Sequence, residues 1–516
     1  MTALPLASQA ASPAEIAHET ERFRLRYAFH PRRGRMIFVV ESKGDGRHRA
    51  EHVSVNMIED DGNVSDVVPI DEGIARFIVR HFDQRGDTES FSIYRSDLAA
   101  GQVLPRDRRP ASPAAVRHSL TRAEQSFTAT GAKLAHHQPI FAKYRDTGFG
   151  SIIRATLTNH QVCSSKCQFC STIARNRRDM VSLAEAQRFV EKLYVDQADF
   201  NRRNFARYND DYRSRTGTDI RLRGLILSGG GQPNLWPHFQ DFTEWMGGLD
   251  VDMGLITNGF PPKIDERVYD RFTWVRISIT PEDASPFYPD GRFDRQYLPA
   301  NLIRNPETTV GYSYVYGPWT TDDMLLRIRD SIEENGFNYC RLLTDCNLTR
   351  DAQIRAHQAL SERLFRLGII DAAGKPLGRI FHQLKYHGTP EEARELWDLG
   401  QCYLQTYNVF WDTTGHEKNG KSYCYPCDSV TVLAEEATDG TVLSSERRFN
   451  PEKWGTVPNT EVERLFTEPV RPFFDPRDAC TSCLFMRNNR TVKELAALPE
   501  DGVPPASPEL EHVNFP

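Results

Sequence analysis

Short runs of alternating apolar and polar residues open the chain. RFRLRY, MIFVV, HVSVNM and SFSIYR, all between residues 22 and 96, carry the period of two expected of half-buried strands. IDEGIARFIVRHF instead places Ile74, Phe77 and Ile78 on one helical face. Together they predict a small α+β domain. Residues 99–122, AAGQVLPRDRRPASPAAVRHSLTR, are rich in Pro, Ala and Arg and read as a linker. Beyond it, strand-like runs at 151–158, 224–228, 252–257, 273–279, 309–316 and 338–344 alternate with helical stretches such as SLAEAQRFVEKLYVDQ and TDDMLLRIRDSIEENG. Such alternation predicts a parallel sheet with right-handed crossovers. Six units rather than eight predict an open, partial (βα)6 barrel. One polar, Arg-rich stretch in the first crossover, DFNRRNFARYNDDYRSRTGTDIRLR, reads as a solvated surface excursion, with a substrate lid as the alternative. No internal repeat is visible.

Composition narrows the picture a little. The chain has 516 residues, enough for two or three cores. Its 64 Lys and Arg against 70 Asp and Glu leave a net charge of −6, so nothing calls for a nucleic-acid or membrane partner. No run of 18 apolar residues suggests a transmembrane helix. The first residues, MTALPLASQAASPAEIAHE, lack the basic and apolar regions of a secretory signal, so the cytoplasm is the expected place. Ten cysteines there would stay reduced. Eight of them lie in or near clusters, which points to metal rather than disulfides.

The sharpest cluster is Cys163-Ser-Ser-Lys-Cys167-Gln-Phe-Cys170, placed directly after the first strand of the alternating region. Three thiolates suit a [4Fe-4S] cluster, and the missing fourth ligand leaves one iron open to a small molecule. A zinc site completed by His160 is the competing reading, although zinc knuckles usually pair their cysteines as Cys-x2-Cys. The second strand ends in Ser228-Gly229-Gly230-Gly231-Gln232-Pro233, the third in Thr257-Asn258-Gly259, and the fourth carries Arg276-Ile277-Ser278-Ile279. All fall at the C-terminal ends of strands, where parallel α/β barrels gather their ligands.

This loop and the ordered segments after it resemble the radical S-adenosylmethionine (SAM) superfamily, whose hallmark is Cys-x3-Cys-x-aromatic-Cys. The resemblance implies a TIM-like partial barrel in which a SAM-binding [4Fe-4S] cluster is held by Cys163, Cys167 and Cys170. It also implies reductive cleavage of SAM and abstraction of a substrate hydrogen. Gly229, Gly230 and Gly231 would let the backbone approach SAM, with Ser228 and Asn258 beside it. Ser278 would contact the ribose and methionine side, and Phe169 would pack on adenine. Gln232 stands where the family usually carries glutamate; its amide oxygen can accept from the SAM ammonium without charge assistance. A flavodoxin- or ferredoxin-type electron donor is implied as well.

Further on come Cys402, Cys424-Tyr-Pro-Cys427 and Cys480-Thr-Ser-Cys483, with Gly415 and Gly420 in a hairpin between the first two groups. The arrangement resembles the Twitch or shortened SPASM extension of many radical SAM barrels and implies one auxiliary [4Fe-4S] cluster. Five thiols compete for four places: Cys427 with Cys402, Cys480 and Cys483, or Cys424, Cys427, Cys480 and Cys483, a pair of pairs that would also suit structural zinc. Cys346, after the sixth strand, is a candidate catalytic thiol able to return a hydrogen atom to a substrate radical, with an inert half-buried residue as the blander reading. Cys340 reads as core. Tyr312, Tyr314 and Tyr316 share one face of the fifth strand, towards either the cavity or the helices. His382 and His387 are candidate proton carriers.

The expected divisions are a flexible tail (1–20), an N-terminal α+β domain (21–98), a linker (99–140) and the radical SAM barrel (141–350). A bridging helical segment (351–399), the Twitch/SPASM-like module (400–490) and a tail (491–516) follow. The expected function is radical-based modification of a ribosomally made precursor peptide, its leader gripped by the N-terminal domain. A small-molecule dehydrogenase, epimerase or mutase is the alternative, and an iron–sulfur or zinc scaffold the non-enzymatic one.

Overall fold

The structure, a computed structural model, describes the backbone of seven short strands before residue 95. Beyond them it describes residues 130–165, 167, 169–170, 176–258, 266–279, 308–335, 337–345, 348, 350–372, 374, 376–383, 401–428, 457–470, 483, 485–499, 503 and 510–516. The chain divides into two compact units, residues 1–135 with 497–511 and residues 136–496 with 512–516.

In the first unit, β1 (Ile16–Glu19), β2 (Phe23–His30), β3 (Arg35–Ser42) and β4 (Ala50–Val53) form an antiparallel sheet in chain order. β5 (Val55–Ile58) pairs with β6 (Val64–Ser65) and β7 (Phe91–Tyr94) in a second, three-stranded sheet. The run HVSVNM is therefore split at Ser54 between two sheets. The helix expected over 70–82 and the linker at 99–122 lie outside the described residues.

The second unit is built on one ten-stranded sheet. Its six expected strands are β8 (Arg154–Leu157), β9 (Gly224–Leu227), β10 (Asp252–Thr257), β11 (Trp274–Ile279), β12 (Thr309–Tyr316) and β13 (Tyr339–Thr344), each parallel to the next. Two more parallel strands extend the run. β14 (Ile380–Gln383) joins β13, inside the stretch expected to be helical, and β15 (Asn408–Asp412) joins the free edge of β8. Antiparallel β16 (Tyr423–Tyr425) and β17 (Val457–Pro458) complete the order β14-β13-β12-β11-β10-β9-β8-β15-β16-β17. The sheet stays open, as six βα units imply.

The longer described helices of this unit are α1 (Gln138–Thr147), α2 (Leu183–Glu191), α3 (Gln197–Asn204), α4 (Ala206–Thr216), α5 (Phe239–Met246), α6 (Asp322–Asn335), α7 (Arg350–Arg366) and α8 (Met486–Ala497), of which α2, α5, α6 and α7 pack on one face of the sheet. α2 begins at a reciprocal cap in which Ser182 and Glu185 satisfy each other's backbone N–H. A π-helical turn, Lys192–Asp196, joins it to α3. The polar stretch of the first crossover is helical, with much of its surface exposed and a few polar residues buried. It forms α3 and α4, with Asn201, Asn209 and Tyr212 buried. Asn209 donates to Asp219 at 2.9 Å and accepts from the Ile220 N–H at 2.9 Å. Buried polar groups that satisfy one another leave no hydrophobic period for the sequence to show.

Along each strand the residues alternate between two environments. Ala155, Leu157, Leu225, Leu227, Val275, Ile277, Cys340 and Leu342 join the core beneath the helices. The opposite positions, Arg154, Thr156, Arg276, Ser278, Ser313 and Arg341, form the inner face. Tyr312, Tyr314 and Tyr316 lie on the helix side, where Tyr312 bonds Ser331 of α6 and Tyr314 bonds Thr320, each at 3.0 Å. At the strands' N-terminal ends, residues 512–516 run across the sheet. His512 reaches Thr309 at 2.8 Å, Asn514 donates to Asp252 at 2.7 Å, and Phe515 meets Trp274 edge to face.

Candidate functional site

The segment that follows β8 carries Cys163, Cys167 and Cys170, and none of the three is in a disulfide. The strand ends hold this segment from several sides. The Thr158 N–H donates to Trp411 O at 2.9 Å, the Gln161 N–H to Asp179 O at 3.0 Å, and the Val181 N–H to Asn159 O at 3.1 Å. The glycine run after β9 lies against it so closely that a Cβ at Gly231 would stand 2.2 Å from Val162 O. One at Gly230 would stand 1.6 Å from the Gln161 side-chain oxygen. Glycine is needed here for close approach of two backbones.

Gln232, only 2% exposed, is the centre of the arrangement. Its N–H donates to Val162 O at 2.7 Å, its carbonyl lies 2.6 Å from His160 Nε2, and its side-chain oxygen accepts from Ser164 Oγ at 2.8 Å. From the end of β10, Asn258 Nδ2 donates to Ser164 Oγ at 2.7 Å and to Ser165 Oγ at 2.9 Å. The two hydroxyls between the first two cysteines are thus tied to both of the next strand ends. Sequence reasoning overlooked Ser164 and Ser165, although a pair of hydroxyls inside a Cys-x3-Cys loop was the available signal. Within the loop the Ser165 N–H points at Cys163 Sγ (3.4 Å) and the Cys170 N–H donates to Cys167 O at 3.1 Å.

Ser228 and Ser278 are half-buried on the same side of the sheet. Phe169 stacks on Trp319, which follows β12, with ring centroids 5.7 Å apart and planes 26° from parallel. Trp319 is a second residue the sequence did not flag.

By residue type and spacing the three thiols suit a three-thiolate cluster. His160 is 1% exposed, with Nε2 held on the Gln232 carbonyl, an arrangement equally compatible with a histidine ligand to zinc through Nδ1. Among the described residues no three Cys, His, Asp or Glu side chains stand together at metal-binding separation.

The C-terminal cysteines separate into two groups. Cys424, on β16 opposite Trp411, is buried in the main core, which pushes its thiol far up. Cys402 precedes β15 at the N-terminal end of the sheet. Burial raises it to about 12, with repulsion from Cys483 adding to the effect. Cys483 is raised to about 11 by burial. Asn489 of α8 spans the pair: its Nδ2 lies 3.6 Å from Cys483 Sγ and its Oδ1 accepts from the Tyr403 N–H at 2.6 Å. Tyr407 feels both Cys402 and Cys427. Cys480, Cys346 and His387 lie outside the described residues. Gly415 and Gly420 take positive φ of 87° and 60° on either side of a single helical turn. That turn is docked by Asp179, whose two oxygens accept from the Gly415 and Glu417 N–H groups at 2.9 Å each. His382 is packed rather than poised, 2.7 Å from Ser361 and stacked on His357, and burial lowers its pKa. Among the described residues no helix is long and apolar enough to cross a membrane.

No protein-family model and no curated protein sequence matches the chain. Solved structures do. Streptococcus suis SuiB bound to precursor peptide SuiA is similar at 11% identity over 84% of this chain and 92% of that one, with a TM-score of 0.40. SuiB bound to S-adenosylmethionine gives 11% identity over 88% of each chain and a TM-score of 0.37. An archaeal TYW1 gives 13% identity over 43% of this chain and 76% of that one, with a TM-score of 0.26. Likenesses of this strength carry no weight for the chemistry of this chain, which rests on the residues above.

Proposed function

We propose that this protein is a radical SAM enzyme acting on a ribosomally made peptide. Cys163, Cys167 and Cys170 would hold a [4Fe-4S] cluster, and SAM would lie between that loop, the Ser228–Gln232 segment, Asn258 and Ser278. When bound, the cluster and SAM supply an electron and a 5′-deoxyadenosyl radical that removes a substrate hydrogen. The chain's own part is positional. Gln232 and Asn258 fix Ser164 and Ser165, and through them the cysteine loop, while Gly230 and Gly231 bring the second strand's backbone against that loop. The Phe169–Trp319 stack offers an apolar surface beside the loop that keeps water from it.

The observation that carries this reading is the Ser164 bridge between Gln232 and Asn258, which joins three motifs far apart in sequence into one locked loop. An auxiliary cluster on Cys402, Cys427, Cys480 and Cys483 is the reading we favour. Its support is that Cys402 and Cys483 lie within electrostatic reach of each other, with Asn489 bonded to Cys483 and to the Tyr403 N–H beside Cys402, while Cys424 is committed to the core. A peptide substrate is supported by the resemblance of this domain plan to peptide-maturing radical SAM enzymes, and by the sheets of the N-terminal unit, whose edges suit strand addition by a leader. A precursor peptide is also what SuiB carries, a parallel without weight at that level of likeness. A small-molecule enzyme with an enclosed cavity beside Tyr314 and Cys346 is the alternative; against it, Tyr314 packs towards α6, on Thr320 and Met324, and not on the inner face.

Anaerobically reconstituted protein should release 5′-deoxyadenosine from SAM with dithionite, and Cys163→Ala should abolish it. Zinc in place of iron, or no cleavage by the wild type, would favour the scaffold reading. Deleting residues 1–120 should remove peptide turnover while SAM cleavage survives.

A further inference from the structure

Three arginines stand on the inner face of the sheet: Arg154 on β8, Arg276 on β11 and Arg341 on β13. Register places Arg276 across from Gly311 and Tyr339, and Arg341 across from Ser313, which itself pairs with Ser278. Two strand spacings and one two-residue step set the Arg276 and Arg341 backbones roughly 12 Å apart, a gap their long side chains can close. Arg276 repels both Arg154 and Arg341, so it lies within electrostatic reach of each.

Close counter-charge is what they lack among the described residues. Among the described residues no carboxylate lies within ion-pair distance of any of the three, and each Nε is buried without a hydrogen-bond acceptor. Among the described residues Arg154 has one hydrogen-bond partner, the Pro516 backbone oxygen. Asp428 acts on Arg154 and Arg341 only through space. Burial, with Arg276 adding repulsion, pushes Arg341 down to about 9, the direction expected of a cation short of counter-charge. Aromatic rings flank them on this face: Trp274 lies over Gly254 and Tyr339 over Gly311. Arg276 lies over the Trp274 ring, 5.9 Å from its centroid. Aromatic side chains beside a few converging polar groups are a common lining of ligand sites. Desolvated cations without partners are costly and persist where something anionic repays them.

We infer that Arg276 and Arg341, with Arg154 beyond them, form an anion subsite inside the barrel that receives a carboxylate of the substrate. It rests on the function proposed above and deepens it, since it assigns the modified peptide an acidic residue. The methionine carboxylate of SAM is the competing occupant: Arg276 stands one two-residue step deeper in the sheet than Ser278, whereas Arg341 lies level with Ser278 through Ser313.

Titration calorimetry on the full-length, anaerobically reconstituted protein tests this with glutarate as the probe and glutaramide as its neutral isostere. Glutarate should bind and glutaramide should not. Glutarate should still bind in the presence of saturating SAM, and its displacement by SAM would overturn the assignment to substrate. Arg276→Gln and Arg341→Gln should each weaken glutarate about 10-fold or more, because each removes a charge-assisted donor. Without ligand, neither variant should melt lower than the wild type, since each loses an uncompensated buried charge. Equal glutarate affinity in the variants, equal binding of glutaramide, or a clear drop in the unliganded melting temperature would overturn the subsite. The two proposals fail separately. Cys163→Ala should keep glutarate binding while losing 5′-deoxyadenosine formation. SAM cleavage by a wild type that ignores glutarate would remove the subsite alone.

Discussion

A single amide, Gln232, decides how the cysteine loop is held, and its neighbours test how tightly. A Cβ at Gly231 would strike backbone, Val162 O at 2.2 Å, whereas one at Gly229 would meet only the Thr158 methyl at 3.1 Å. Gly231→Ala should therefore destabilise the protein by about 2–3 kcal/mol and Gly229→Ala by much less, read from urea unfolding midpoints. Asn258→Ala removes two buried hydrogen bonds from Ser164 and Ser165 and should cost about 1–3 kcal/mol. It should also weaken SAM binding, because the loop is no longer tied to β10. Lys143 offers a test by pH. It is fully buried on Gly150 O and Asn201 Oδ1, and burial lowers it from 10.5 to about 7. Between those values the unfolded chain binds the proton more tightly, so Lys143 makes stability rise with pH across that window, by up to a few kcal/mol. Lys143→Met should lose that upward slope relative to the wild type in melting temperatures measured from pH 7 to 10.

Among the elements, β15 is the one whose place matters most to the site. It pairs with β8 in parallel, so one end of it lies beside the cysteine loop and the other beside Cys402. Gln161 donates to Asp412 and Thr413 at its far end, and Asp179 accepts from the turn just beyond. The region expected to be a separate cysteine-rich module is continuous with the barrel sheet. Asp179→Ala strands two N–H groups in a site where the carboxylate is only 1% exposed, and should cost about 3 kcal/mol. Faster hydrogen exchange at Gly415 and Glu417 would report it; unchanged exchange would mean that other contacts hold the turn.

For the molecule as a whole, acid stability should follow its buried histidines. Burial takes His136 and His357 to about 4, and lowers His137 and His382 as well. The unfolded chain then gains protons that the folded chain refuses, so stability should fall as pH drops from 6.5 towards 4. Melting temperatures over that range should decline in the wild type. The decline should be shallower in a His357→Gln, His382→Gln variant.

Residue order alone carried the six barrel strands, the helices opened by Ser182 and Thr321, and the spacing of the cysteine loop. Those signals are local: alternating strand-like and helical stretches and thiol spacing need no partner to be read. Three-dimensional packing decided the remainder. NVFWD is too short and too uniformly apolar to announce a strand, and it became one because the edge of β8 was open. The polar crossover became packed helices because Asn201 found Lys143, 58 residues away, while Asn209 and Asp219 were satisfied by partners within the crossover itself. Tyr314 turned towards the helices and Arg341 towards the inner face, a choice between two sides of a sheet that a period of two leaves open. Which cysteines stand near Asn489, and which arginines confront one another, depend on strand neighbours hundreds of residues apart.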